Sequence, residues 1–332
     1  MHRPDLFVGR RTLPHPETLQ PETLNLEQET CLIGIDVGGT KTAAGLVALP
    51  SGEVLARQRQ PTSPVRGGEA ILSDVIALAR SLKDDARRLG LSPAGIGIGV
   101  AELVSPHGQV LSEATIRWRN IDVCRRVNRE TSLPTTIDAD VRAAARGEAE
   151  LGAGRGLRSC LYITVGTGIS ACLVLEGSPY TGARGLAGTF ASGRVLVPAD
   201  HGDLVAGLPL EQFAGGPALA SRLRARLPGF TGAAPDVLAL AEAGNPAAIA
   251  VIESAGSALG ASIAHLFNVL DPEAIVIGGG LGLAGGRYRM KLEEAFLDHV
   301  YSDSHRGIPL LASALGVDAG WIGAALFAAK HP

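Results

Sequence analysis

The sequence predicts an α/β protein built as two lobes that face each other across a cleft. Three observations predict it. Apolar strand-like runs alternate with helical runs in β-α-β order. Two of those strands end in similar glycine turns, far apart in the chain. The length of 332 residues is too great for one small core and comfortable for two lobes.

The elements follow in order. Residues 1–30 carry Pro4, Pro14, Pro16 and Pro21, and read as a poorly ordered extension. Cys31 to Asp36 is a buried strand, Thr42 to Ala48 a second and Val54 to Gln60 a third, with Pro50-Ser51-Gly52 turning the chain between the last two. Ile71, Val75, Leu78, Leu82, Ala86 and Leu89 recur at helical spacing and predict an amphipathic helix. Ile96 to Val100 is a further buried strand. The pattern then repeats. Leu161 to Val165 is a strand, Gly166-Thr167-Gly168 a turn, and Ile169 to Leu175 the return. Ile35-Asp36-Val37-Gly38-Gly39-Thr40 aligns with Ile163-Thr164-Val165-Gly166-Thr167-Gly168, the trace a duplicated lobe leaves. Asp236 to Leu270 is Ala-rich and helical, Glu273 to Ile277 a buried strand, and Asp318 to Ala329 a closing helix of small residues. The boundaries expected are a small lobe over 31–137, joined by the closing helix 318–330, and a large lobe over 138–317.

Composition narrows the function. Hydrophobic residues make up 46%, enough for a core, and the net charge of −3 gives no footprint for nucleic acid or an anionic membrane. No run reads as a signal peptide or as a bilayer span, so a cytoplasmic protein is expected. Cys31, Cys124, Cys160 and Cys172 form no CxxC pair and have no histidine at ligand spacing. They read as reduced thiols, without a zinc site or a disulfide framework.

The motifs point to phosphate chemistry. Asp36-Val37-Gly38-Gly39-Thr40-Lys41-Thr42 is not a Walker A loop, because Thr40 separates glycine from lysine and the turn joins two strands. Glycines with Thr and Lys in a tight turn nonetheless expose N–H groups to an anion. The bland alternative is a hairpin turn needing positive φ. Asp36, at the strand end, is placed to hold Mg2+ through water. Gly166, Thr167 and Gly168 repeat the arrangement, and two such turns can clamp a triphosphate. Gly278-Gly279-Gly280-Leu281-Gly282-Leu283-Ala284-Gly285 contains GxGxxG, which raises a dehydrogenase as rival. The next apolar run, Ile308 to Ala312, ends without the acid that would hold a ribose. Asp140, opening the helical run Val141 to Gly152, reads either as a helix N-cap or as a general base.

Together these residues resemble the ROK family (repressors, open reading frames and kinases) of the actin-like ATPase superfamily, from Leu32 to Ala329. Asp36 to Thr42 resembles its first phosphate motif, Gly166 to Ile169 its second, Ile275 to Gly280 its adenosine motif, and Leu315 to Ala325 its closing helix. The resemblance implies an actin-like ATPase (ribonuclease H-like) fold, a homodimer, and a kinase that uses ATP and Mg2+ on a hexose or an amino or N-acyl hexosamine, with Asp140 as catalytic base. The 30-residue extension leaves no room for the repressor branch's DNA-binding domain.

The departures lie on the sugar side. Ala139 stands where the family has Asn before the aspartate, and Arg142 where it has Asn after. Thr189 and Ser192 stand for the expected Glu and His. Gly193 to Leu208 replaces the zinc motif, although Glu211 survives. Ala101-Glu102 replaces Pro-Gly. The expected sugar contacts are therefore Glu102, Ala139, Asp140, Thr189, Ser192 and Glu211. Glu102 is either a solvent-facing glutamate or an added carboxylate suited to an amino sugar. A sugar- or nucleotide-binding protein with reduced catalysis is the alternative.

Overall fold

The computed structural model describes residues 30–198 and 204–331. The expected extension and part of the segment replacing the zinc motif lie outside them. Strands β1 (Thr30–Val37), β2 (Lys41–Leu49) and β3 (Val54–Pro61) form an antiparallel meander. Helix α1 (Gly68–Arg88) crosses to β4 (Ile96–Val100), and α2 (Val123–Thr131) leads to β5 (Thr135–Ala139). The resulting sheet has the order β3-β2-β1-β4-β5, with β1, β4 and β5 parallel. Helix α3 (Asp140–Leu151) then starts the second half.

The second half repeats this plan. Strands β6 (Ser159–Val165), β7 (Ile169–Leu175) and β8 (Ser178–Pro179) form a meander. A hairpin of β9 (Arg194–Pro198) and β10 (Leu204–Pro209) follows, then α4 (Leu210–Ala214), α5 (Gly216–Arg226), α6 (Ala234–Glu242) and α7 (Pro246–Leu270). Strand β11 (Ala274–Gly278), α8 (Gly286–His299), β12 (Leu310–Ala312) and α9 (Ala319–Lys330) complete it. The sheet order is β12-β11-β6-β7-β8, the same sequence of antiparallel and parallel joints as in the first sheet. The correspondence extends to single positions. Asp36 pairs with Gly99 across β1 and β4, and Thr164 pairs with Gly278 across β6 and β11. The duplicated lobes expected from two short glycine motifs are thus present in the topology of both sheets.

Each sheet is buried on both faces, which is why its parallel strands read as continuous apolar runs. On the first sheet, Ile71, Val75 and Leu82 of α1 pack with Ile33, Ile35 and Ile98. Each such side chain contributes about 1.5–3 kcal/mol of hydrophobic stabilisation. On the other face lies α9, whose Trp321, Ile322 and Ala325 pack with Leu32 and Val47. That helix sits close because Gly34 and Gly97 present no side chain to it. A Cβ at either position would overlap the carbonyl of Trp321 or Ala324. Helix α3 packs on the second sheet, where Ala144 and Ala145 meet Cys160, Tyr162 and Cys172. α3 and α9 cross where Gly147 and Gly323 allow their backbones to touch. Glu148, fully buried, fastens the crossing. Its carboxylate accepts from the Ser313 hydroxyl (2.5 Å), the Ala314 and Leu315 amides (3.0 and 2.8 Å) and the Ala153 amide (2.8 Å).

Two sequence expectations need correction. The helical run 236–270 is two helices, because Gly244 adopts φ 87° and the Asn245 side chain caps α7 by accepting from the Ala248 amide. And α7, with 25 residues and mean hydropathy 1.5 over its most apolar window, is long and apolar enough to cross a bilayer by length and composition, contrary to the expectation of no such run. Its Val251, Ile252, Leu259, Ile263 and Phe267 are buried in the second lobe's core against α8 and β11, which accounts for the composition. All four cysteines are free, and Cys124 is half-buried.

Candidate active site

Parallel strands deliver their C-terminal ends to one edge of a sheet, and ligands of open α/β sheets gather beyond that edge. Here Val37, Val100 and Ala139 end the parallel strands of the first sheet, and Gly38, Glu102 and Asp140 follow closely. Val165 and Gly278 end their counterparts in the second sheet, followed by Gly166 and Gly279.

Asp36 and Asp140 form the centre. Gly99 lies between them. A Cβ built there would stand 3.5 Å from the Asp140 Cα and 3.7 Å from Asp36 Oδ1. Asp140 is not the N-cap but the first residue of α3. Its Oδ1 accepts from the Val141 amide at 2.6 Å, its only hydrogen bond among the described residues. Burial, then the Asp36 charge, push its carboxyl up to about 7, against partial relief from the Val141 amide. Burial likewise raises Asp36 to about 6, with Lys41 opposing. The N-terminus of α9 closes over Asp36, with Gly320 beside Oδ2, while the buried Oδ1 has no hydrogen-bond partner. A buried carboxylate oxygen left unpaired fits a hydrated cation, so the donor set at Asp36 is compatible with Mg2+. Among the described residues no three metal-ligating side chains cluster.

The first glycine turn is not a positive-φ hairpin turn, since neither Gly38 nor Gly39 has φ above zero. Gly39 packs against Thr115, and a Cβ there would lie 2.8 Å from the Thr115 Cγ2, so that side chain would have to shift. Thr40 is exposed at the tip, whereas Thr42 is buried and its hydroxyl pairs with that of Thr62 at 2.7 Å. Thr42 therefore braces the turn rather than facing a ligand. The second turn is held from behind. The Gly216 amide at the start of α5 donates to the Gly166 carbonyl (2.8 Å), and the Glu211 carboxylate accepts from the Ile169 amide (2.9 Å). The Gly278–Gly280 segment folds over the same strand end. Gly279 has φ 80°, and the Leu281 and Gly282 amides both donate to the Val165 carbonyl. Gly166 and Gly280 face open space, which leaves their backbones approachable by a ligand.

The residues expected to contact the sugar take up different settings in the structure. Glu102 is buried and its carboxylate is fully engaged. Oε1 accepts from the Thr115 and Ile116 amides (2.5 and 2.7 Å), and Oε2 from the Ala114 amide (3.0 Å) and the Ser112 hydroxyl. Neither reading of Glu102 holds, because it faces neither solvent nor a sugar with free acceptors. The Ala139 side chain is packed in the first-lobe core and offers no polar group. Thr189 and Ser192 are exposed, and both bend their hydroxyls onto their own turn, at Leu186 O and Thr189 O. Glu211 lies beside the second glycine turn with Oε1 free of protein donors among the described residues.

Sequence reading missed three participants. Arg142 is buried, ion-paired to Asp138 at 2.5 Å, and donates to the carbonyls of Val104 (2.7 Å) and Gly185 (3.0 Å). It thereby joins the loop after β4 to the loop after β8. Thr115 and Gly320 were also missed. Glycine at alternate positions of β4, Gly97 and Gly99, is the signal that could have found the helices pressed on that face.

The family model for ROK matches residues 32–331. The glucokinase of Halalkalibacterium halodurans is 29% identical over 88% of this chain and 92% of its own length. The N-acetylmannosamine kinase of Shigella flexneri is 31% identical over 90% of this chain and 98% of its own. A crystal structure of a ROK family glucokinase from Streptomyces griseus, in complex with glucose and AMPPNP, superposes with a TM-score of 0.77 at 28% identity, covering 90% of this chain and 99% of that one. With the duplicated sheets, the paired glycine turns and the neighbouring Asp36 and Asp140, this match over nearly all of the described chain shows that the protein belongs to the ROK family.

Proposed function

We propose that this protein is an ATP-dependent carbohydrate kinase. It transfers the γ-phosphoryl group of MgATP to a hydroxyl of a hexose or an amino or N-acyl hexosamine. One observation carries the role of Asp140. Its carboxylate lies beside Asp36 at the C-terminal edge of the first sheet, with no side-chain hydrogen-bond partner among the described residues and a pKa raised to about 7. A base with such a pKa is well matched to accept the acceptor hydroxyl's proton at physiological pH. Phosphoryl transfer has a loose transition state, so orienting that hydroxyl is the larger part of the task.

The chain's other residues bind and orient. The two turns, Gly38, Gly39 and Thr40 on one side and Gly166, Thr167 and Gly168 on the other, with open space at Gly166, support holding the phosphates from two sides, with Lys41 adding positive charge. Gly278, Gly279 and Gly280 give a flat surface for the nucleoside. When bound, Mg2+ neutralises charge between the phosphates, and the unpaired Asp36 Oδ1 is the atom to hold it through water. Glu211 and the Thr189 and Ser192 hydroxyls are the polar groups left for the acceptor. A homodimer of cytoplasmic location completes the reading, to be checked by light scattering and cell fractionation.

ADP release with MgATP, measured across hexoses, hexosamines, N-acyl hexosamines and inositols, tests this. Turnover that depends on one acceptor and vanishes in Asp140→Asn is the expected result. The saturated Glu102 and apolar Ala139 favour a second reading, a protein that binds sugar without turning it over. Acceptor binding with no ADP release from any of the panel would establish that reading instead.

A further inference from the structure

We propose that Glu102 is a positioning residue for the first phosphate turn, acting through the loop Ser112–Ile116. The inference rests on reading that turn as a nucleotide site. The geometry is a continuous chain of contacts. Glu102 follows β4 within two residues and turns its carboxylate into the protein. Three consecutive amides, those of Ala114, Thr115 and Ile116, converge on it together with the Ser112 hydroxyl. Four donors on two oxygens leave no acceptor capacity for a ligand. A loop of three successive backbone N–H groups has no regular secondary structure to satisfy them, so the carboxylate decides its conformation. The same loop then reaches the turn. Thr115, whose amide is one of the three, sets its methyl group where a Gly39 side chain would be. Gly39 is thus backed by a fixed surface, and its backbone is presented at one position.

The inference accounts for two features that the acceptor reading of Glu102 leaves unexplained. A carboxylate sits buried without a cation paired to it among the described residues, and Gly39 is glycine without needing positive φ. It also assigns Glu102 to the nucleotide side of the reaction rather than the sugar side.

Two readouts that do not depend on turnover test it on the full chain, and KM values add a third where the protein turns over. The first is hydrogen exchange at residues 38–40 and 114–116 without ligand. The second is MgAMPPNP affinity by calorimetry. Glu102→Gln places an amide NH2 against amide donors, so exchange is expected to rise on the order of tenfold in both segments. MgAMPPNP affinity is expected to fall by about tenfold, and KM for MgATP to rise alike while KM for the acceptor changes less than threefold. Unchanged exchange at 38–40 with a raised acceptor KM would overturn the proposal and return Glu102 to the sugar. If Glu102→Gln does not fold, a cycle at the contact decides. Gly39→Ala is expected to weaken MgAMPPNP about tenfold through overlap with Thr115, and adding Thr115→Ser, which removes only the methyl, to restore it to within threefold. Failure of that rescue overturns the proposal. If the wild type releases no ADP with any acceptor, the kinase reading fails, while exchange and affinity still decide this one.

Discussion

At position 140 an aspartate whose ordinary carboxyl pKa lies near 3.8 is held at about 7, because burial and the neighbouring Asp36 charge both disfavour ionisation. As the proposed base, Asp140 must be ionised to take a proton, so kcat is expected to fall tenfold per pH unit below about 7 and to level off above it. A pH profile of ADP release checks this. The same shift has a stability consequence of opposite sense to that of most aspartates. The folded state binds the proton more tightly than the unfolded chain, so stability declines as pH rises from about 4 through about 7, and the full cost persists above. Asp140→Asn is therefore expected to lose activity by about 10²–10⁴-fold yet gain about 1–3 kcal/mol at pH 8, seen as a melting temperature several degrees higher. A variant less stable than wild type at pH 8 would contradict the assigned cause of the shift. Arg142 behaves in the reverse way. Arg142→Met leaves the buried Asp138 with the Ala139 amide and, as its cationic partner, Arg146 at 3.6 Å, and is expected to cost about 2–4 kcal/mol in chemical denaturation. Asp140 was legible in the sequence because it opens the helical run Val141 to Gly152 and because the family resemblance singles it out. The engagement of Glu102 was not, because its donors lie ten to fourteen positions further on and are mostly backbone amides, which carry no residue signature.

Among elements, α9 is held by absent side chains. Gly34 and Gly97 admit it to the first sheet, and Gly323 admits it to α3. Adding one methyl at Gly323 drives it into the Ala143 carbonyl, and backbone cannot rotate away as a side chain can. Gly323→Ala is accordingly expected to cost about 2–3 kcal/mol, measured by urea unfolding, and to disturb Asp140 through α3. The strands were readable because both faces of each sheet are buried, which turns them into unbroken apolar runs. Strand β5 was not, since Thr135, Thr136 and Asp138 interrupt its apolar pattern at the edge of its sheet. Helix α8 escaped notice because charged residues dominate it and few positions are buried.

For the whole molecule, the two lobes share one topology, and that was foreshadowed in only six aligned residues. The rest of the repeat is invisible in sequence because it is carried by strand order and pairing, which many residue choices satisfy. The acceptor side was read least well, since its polar positions depend on loop conformation rather than on period or motif. Between the lobes, α3 and α9 cross in close contact, with Glu148 bonded to the segment that leads into α9. Glu148→Gln leaves the Leu315 and Ala314 amides competing with a donor, and is expected to lower the melting temperature by several degrees while loosening lobe closure, visible as a broader small-angle scattering envelope.

The place of α9 also bears on how the protein is made. Strand β1 leaves the ribosome early, but the helix that covers the glycine-bearing face of its sheet is separated from it by almost the whole chain. Until α9 emerges, Leu32 and Val47 have no cover on that side. The amino-terminal lobe must therefore wait, partly assembled and with an apolar face bare, while the other lobe is translated. A chain halted before residue 319 is expected to keep that face bare and so to be held by chaperones or degraded, which pulse-chase of a truncated chain would show.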